Sequence, residues 1–125
     1  MEWLKISTSV ELTRLETDDI VYIKAQGNYC DIVTFDNMHT LLTFKLHFMD
    51  ECLQQLHDNH FVRVGKSLIV NKHYVYLINL TDLKLWLYGK HLVGTFKLSA
   101  SREALKELKV LMENENEETR YGKKG

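Results

Sequence analysis

Three consecutive segments decide the fold class: Ile20-Val-Tyr-Ile-Lys24, Ala25-Gln-Gly-Asn-Tyr29 and Cys30-Asp-Ile-Val-Thr-Phe35. The first and third are rich in β-branched and aromatic side chains, which suit a pleated, half-buried surface. Gly27-Asn28 between them supplies turn chemistry, so the block reads as two strands and their connection. Working outward, Asp36-Asn37 marks another turn, and residues 38–43 return as a strand. Further strands are expected over 61–64, 67–71, 75–79, 83–88 and 92–97, with Gly89-Lys90 as a hairpin turn between the last two. Short strands at this spacing predict packed antiparallel sheets rather than βαβ units.

Two stretches depart from the two-residue period. In 45–57, Leu46, Met49, Leu53 and Leu56 recur at spacings of three and four, which marks an amphipathic helix. In 101–112, Leu105, Leu108, Leu111 and Met112 do the same. Ser101 is available as the N-cap of this second helix, with Ser99 as the competitor. The chain is therefore mainly β with two short helices. Ile23, Val33, Leu53, Phe61, Ile69, Leu85 and Leu105 are the expected core.

At 125 residues and 45% apolar composition the chain suits a single domain and is too apolar for a disordered one. Residues 1–112 read as the domain and 113–125 as a polar, flexible tail. No apolar run approaches the ~18–20 residues of a membrane span. No basic leader precedes a greasy run at the N-terminus, so no secretory signal is expected. Two cysteines, Cys30 and Cys52, are too few for a disulfide framework, and a reducing cytoplasm is the expected setting. The net charge of −1 is unevenly distributed: residues 1–59 carry four basic and ten acidic side chains, and residues 60–112 carry nine basic and three acidic ones. Such asymmetry is compatible with one polyanion-facing side on a nearly neutral molecule.

Sites for chemistry are weak. Val64-Gly-Lys-Ser67 looks like the end of a phosphate-binding loop, but His60 stands where that loop needs its first glycine. Cys52, His57 and His60 form one triplet without a fourth zinc ligand. Cys30 has no evident base for nucleophilic catalysis. No enzyme is expected. What remains is a set of amides, lysines, arginines and serines at strand and helix ends, types that suit base edges and phosphates.

In order and spacing the chain resembles the LytTR DNA-binding domain, the output module of one class of bacterial response regulators in two-component systems. Asp19-Ile-Val-Tyr-Ile-Lys-Ala-Gln-Gly-Asn-Tyr29 resembles the family's opening segment. Phe61-Val-Arg-Val-Gly-Lys-Ser-Leu-Ile-Val-Asn71 resembles its central block, with Gly65 where the family commonly has histidine. Phe96-Lys-Leu-Ser-Ala-Ser-Arg102 before a leucine-rich helix resembles its closing block.

The resemblance implies an elongated arrangement of small antiparallel sheets with two short helices. It also implies that loops, rather than a recognition helix, enter successive major grooves of duplex DNA at promoter sites, which are compatible with paired repeats and a homodimer. Carried over position by position, it gives Asn28 and Tyr29, Lys66 and Ser67, then Ser99, Ser101, Arg102 and Lys106, with Arg63 structural. Lys72 is added for its charge beside Asn71. Arg102 is the expected guanine reader, Asn28 a reader of adenine, Lys66 a reader of guanine or a phosphate contact, and the rest of the serines and lysines phosphate anchors. Lys66, Lys72 and Arg102 should then share one face. No cofactor, metal, membrane or small-molecule substrate is implied. A receiver domain or sensor kinase acts upstream in the family, which leaves a stand-alone regulator and an excised output domain both open. The alternative function is a protein-interaction or dimerisation module of the same fold.

Overall fold

The computed structural model describes residues 2–115. Ten strands and two α-helices run in the order β1 (Trp3–Ser7), β2 (Leu12–Glu16), β3 (Ile20–Gln26), β4 (Tyr29–Thr34), β5 (His39–Leu42), α1 (Leu46–Gln54), β6 (Phe61–Val64), β7 (Leu68–Asn71), β8 (Val75–Asn79), β9 (Lys84–Leu87), β10 (Phe96–Ser99) and α2 (Arg102–Glu113) among the described residues. All pairings are antiparallel. A five-stranded sheet has the order β5-β4-β3-β7-β6, a three-stranded one the order β10-β9-β8, and β1-β2 form a hairpin.

The five-stranded sheet is apolar on both faces, and strand alternation divides its side chains between two layers. Ile23, Cys30, Ile32, Phe61 and Ile69 face Leu46, Met49 and Leu53 of α1 and Leu4 and Ile6 of the hairpin. Val21, Val64, Leu68 and Val70 face Leu85 and Leu87 of the small sheet and Leu105 and Leu108 of α2. A register shift between Ile20 and Tyr22 puts Ile20 with the first layer and Val21 with the second. All seven expected core residues are buried, Phe61 at 4% exposure and the others at 0%.

Three differences from the expected elements have physical causes. Residues 3–16 form a hairpin that the strand reading missed. Its turn lacks glycine or asparagine, and Thr8 Oγ1 closes it by accepting from the Val10 and Glu11 amides. Residues 92–97 are not a strand throughout, since β10 is displaced to Phe96–Ser99. Gly89 is not a hairpin turn either. A Cβ there would lie 2.8 Å from the Tyr74 ring, so the glycine is required by the close approach of that ring. Of the expected tail, Glu113 is the last residue of α2, and residues 116–125 lie outside the described residues. No described helix is long and apolar enough to cross a membrane.

Candidate nucleic-acid interface

Gln26 pairs with Tyr29, leaving Gly27-Asn28 as a two-residue turn. Gly27 has φ +60° and Asn28 a negative φ, the signs a type II′ hairpin requires, with glycine first. Asn28 is exposed at the tip and Tyr29 is half exposed beside it. Val64 pairs with Leu68, leaving Gly65, Lys66 and Ser67 as a three-residue turn with Gly65 at φ +66°. Because β3 and β7 are antiparallel neighbours, both turns lie at the same end of the sheet. The Ala25 amide, near the end of β3, donates to the Ser67 carbonyl at 2.9 Å and holds the second turn against that strand.

The start of α2 joins this end through Ala104, which abuts Gly65. Ser101 is its N-cap, with Oγ accepting from the Ala104 amide at 3.1 Å, so the competing cap at Ser99 is excluded. Ser99 instead accepts from Lys84 Nζ at 2.6 Å. The Arg102 guanidinium donates through Nη1 to the Leu80 carbonyl at 2.9 Å, which adds the β8–β9 turn to the assembly. Asn79 shapes that turn by accepting from the Thr81 and Asp82 amides, both at 2.9 Å. Lys106 is exposed one helical turn beyond Arg102.

Asn28, Tyr29, Lys66, Ser67, Ser99, Ser101, Arg102 and Lys106 are thus gathered around three short turns and one helix N-terminus. Lys72 is not brought there. It follows β7 at the opposite end of that strand, and its Nζ bonds Glu115 Oε1, just beyond the far end of α2, at 3.2 Å. Lys66 and Arg102 thus stand at this end, whereas Lys72 lies at the other end of the four-residue β7. Asp18 and Asp36 also lie at the opposite end, at the start of β3 and the end of β4.

Lys84 and the Asn79–Leu83 turn were missed in the sequence. The signal was present in Asn79-Leu-Thr-Asp82, an asparagine able to bond backbone amides two and three residues ahead. Lys84 becomes visible only through register, since it pairs with Ser99 across β9 and β10.

The features weighed for other chemistry are otherwise engaged. Burial pushes the Cys30 thiol up, with the Arg63 charge pulling the other way, and burial pushes Cys52 up as well. A nucleophilic thiol needs the reverse. Among the described residues no group of three His, Cys, Asp or Glu side chains is placed to hold a metal ion.

Comparison with known proteins agrees with this architecture. The LytTr DNA-binding domain family matches residues 11–113. The chain is 27% identical over 112 residues to the sensory transduction protein LytT of Bacillus subtilis (strain 168), covering 87% of this chain and 43% of that protein, less than half its length. Its fold matches a LytTr DNA-binding domain from Bacillus cereus with a TM-score of 0.64 at 14% identity, covering 90% of this chain and 97% of that one. With the family match running from the first hairpin to the last residue of α2, the chain belongs to the LytTr DNA-binding domain family.

Proposed function

We propose that this domain binds specific duplex DNA sites in bacterial transcription regulation, using the turn-lined end of the molecule. The observation that carries this reading is the convergence of Asn28, Lys66, Ser67 and Arg102 on one end, from segments distant in sequence. The turns after β3 and before β7 are narrow projections suited to major grooves, and the capped start of α2 suits a phosphate. Arg102 reads guanine, Asn28 reads adenine and Lys66 takes a guanine or a phosphate. Tyr29, Ser67, Ser99, Ser101 and Lys106 set register through the backbone, with Lys84 added to them. Lys72 is left out of this set. Working on genomic DNA implies the bacterial cytoplasm, and a receiver domain or sensor kinase is the proposed source of the signal. No catalytic role is assigned.

A gel shift against genomic DNA fragments at two salt concentrations tests the proposal. Specific retardation that weakens as salt rises supports it, and no retardation at either concentration overturns it.

A second reading is an interaction or dimerisation module, and one surface favours it. The three-stranded sheet leaves Tyr76 65% and Tyr88 51% exposed, with ring centroids 5.4 Å apart, and Leu77 is exposed beside them. Sedimentation of the chain with and without DNA distinguishes a homodimer formed by protein contacts from one assembled on DNA.

A further inference from the structure

Arg63 is opposite Ile69 in the β6–β7 pairing, and Ile69 belongs to the apolar layer beneath α1. Its guanidinium runs along that layer to two partners. Nη2 donates to the Lys66 carbonyl at 2.9 Å, and Nη1 lies 3.9 Å from Asp50 Oδ2 on α1, a charge contact rather than a hydrogen bond. Asp50 is held in turn by Gln54, whose Nε2 donates to Oδ1 at 3.2 Å. Arg63 Nε is buried without a hydrogen-bond partner among the described residues.

An unsatisfied buried donor lowers stability, and a charge beside an apolar layer adds a desolvation cost. The two contacts, made by a side chain that is 34% exposed, offset only part of that cost. They do fasten the backbone of the Gly65–Ser67 turn to the helix behind it.

We propose that Arg63 is a positioning residue for DNA binding, anchored by Asp50: the guanidinium joins α1 to the Lys66 carbonyl and sets where Lys66 and Ser67 stand. The inference rests on the DNA reading above. It gives α1, which carries none of the interface residues, a mechanical share in affinity. Arg63 acts through the turn rather than on DNA in this scheme, because its terminal donors face the Lys66 carbonyl and the Asp50 carboxylate. Lysine cannot substitute, since a single ammonium lacks the planar fork that reaches both partners.

The sign of one substitution separates positioning from plain electrostatics. Asp50→Asn removes a negative charge, and by charge alone every DNA should then bind as tightly or more tightly. Positioning requires weaker binding.

The experiment uses a duplex enriched on the wild-type chain from a random-sequence library, with a scrambled duplex of the same length as control. Wild type, Arg63→Lys, Asp50→Asn, Lys66→Ala and the double variant Arg63→Lys/Lys66→Ala are compared, alongside thermal melts and amide NMR spectra of the free chains. Arg63→Lys and Asp50→Asn are expected to shift the Gly65, Lys66 and Ser67 amide resonances and to bind the enriched duplex about tenfold more weakly. In the Lys66→Ala background the Arg63→Lys loss should largely vanish, because both act through one turn. Should Arg63→Lys fold poorly, Asp50→Asn carries the same test, as it keeps the side-chain shape and the acceptor for Gln54. Tighter or equal binding by Asp50→Asn, unmoved turn amides, or additive losses in the double variant overturn the inference while wild-type binding leaves the DNA reading standing. A wild-type chain that prefers no duplex over the scrambled one overturns both.

Discussion

Gly65 and Ala104 meet so closely that a Cβ on the glycine would lie 3.3 Å from the Cβ of Ala104. The turn bearing Lys66 and the first turn of α2 are therefore in contact with only the Ala104 methyl between them. Gly65→Ala must adopt φ +66° with a Cβ and also press on the helix. It should lower stability by ~1–2 kcal/mol, read as a shift in the urea midpoint. Gly65→His, which installs the residue common in the family, should cost at least as much for the same reasons.

Arg102→Ala should abolish preference for specific sites and leave the fold intact. The loss at the preferred site should be ~1–3 kcal/mol, the value of one good bidentate base contact. Part of any loss can arise from release of the Leu80 carbonyl, so binding to scrambled duplex is measured in parallel. Unchanged discrimination in a folded variant removes Arg102 from the readers.

Lys66→Ala and Lys72→Ala should differ although each removes one positive charge. Lys66 stands at the turn-lined end, whereas Lys72 is paired with Glu115 away from it. Titrations over a salt series should show the salt slope reduced by ~1 for Lys66→Ala, if it holds a phosphate, and unchanged for Lys72→Ala. Equal slopes in the two variants would return Lys72 to the interface.

Ile69→Ala tests the layered core. Ile69 is fully buried between Ile23 and the residues of α1, and truncation removes three carbons from a packed layer. A loss of ~2–5 kcal/mol is expected in denaturant unfolding. A near-neutral result would mean that this layer collapses onto the cavity without strain.

Alkaline stability should depend on Tyr74. Burial, followed by the charges of Asp18 and Asp19, pushes its hydroxyl from 10.0 up to about 12. The hydroxyl donates to the Asp18 carbonyl, so His91 Nε2, 2.8 Å away, supplies a proton rather than accepting one. The folded state favours the neutral phenol. Its contribution is complete below pH about 10 and is lost as pH rises through about 12. Tyr74→Phe should flatten that alkaline decline in urea unfolding curves, at a cost of ~1 kcal/mol near neutral pH from the lost hydrogen bonds.

The strands from 20 to 35, the two helices and the N-cap were legible because each is a local pattern. Ile20–Gln26 and Tyr29–Thr34 announce themselves by β-branched content around a glycine turn. Ser101 stands just before a period that only a helix can bury. Residues 3–16 escaped because Thr8, a weaker turn former, closes their hairpin. Gly89 misled the strand reading because its reason is a ring 15 residues earlier in the chain. The separation of Lys72 from Arg102 was illegible for a different reason: it depends on the direction of β7 relative to α2, a tertiary relation that no local spacing encodes.

The turns after β3 and before β7 contain only two and three residues, and a backbone hydrogen bond ties the second of them, at Ser67, to Ala25 of β3. Segments so short, closed by strand pairs on both sides, have little conformational freedom left to lose when a partner docks. Complex formation at this end should thus proceed as near-rigid docking, with a heat-capacity change that reflects the contact area alone and no coupled folding of the protein. Any large deformation has to occur in the DNA, and sites that bend easily gain an advantage at base pairs these turns never reach.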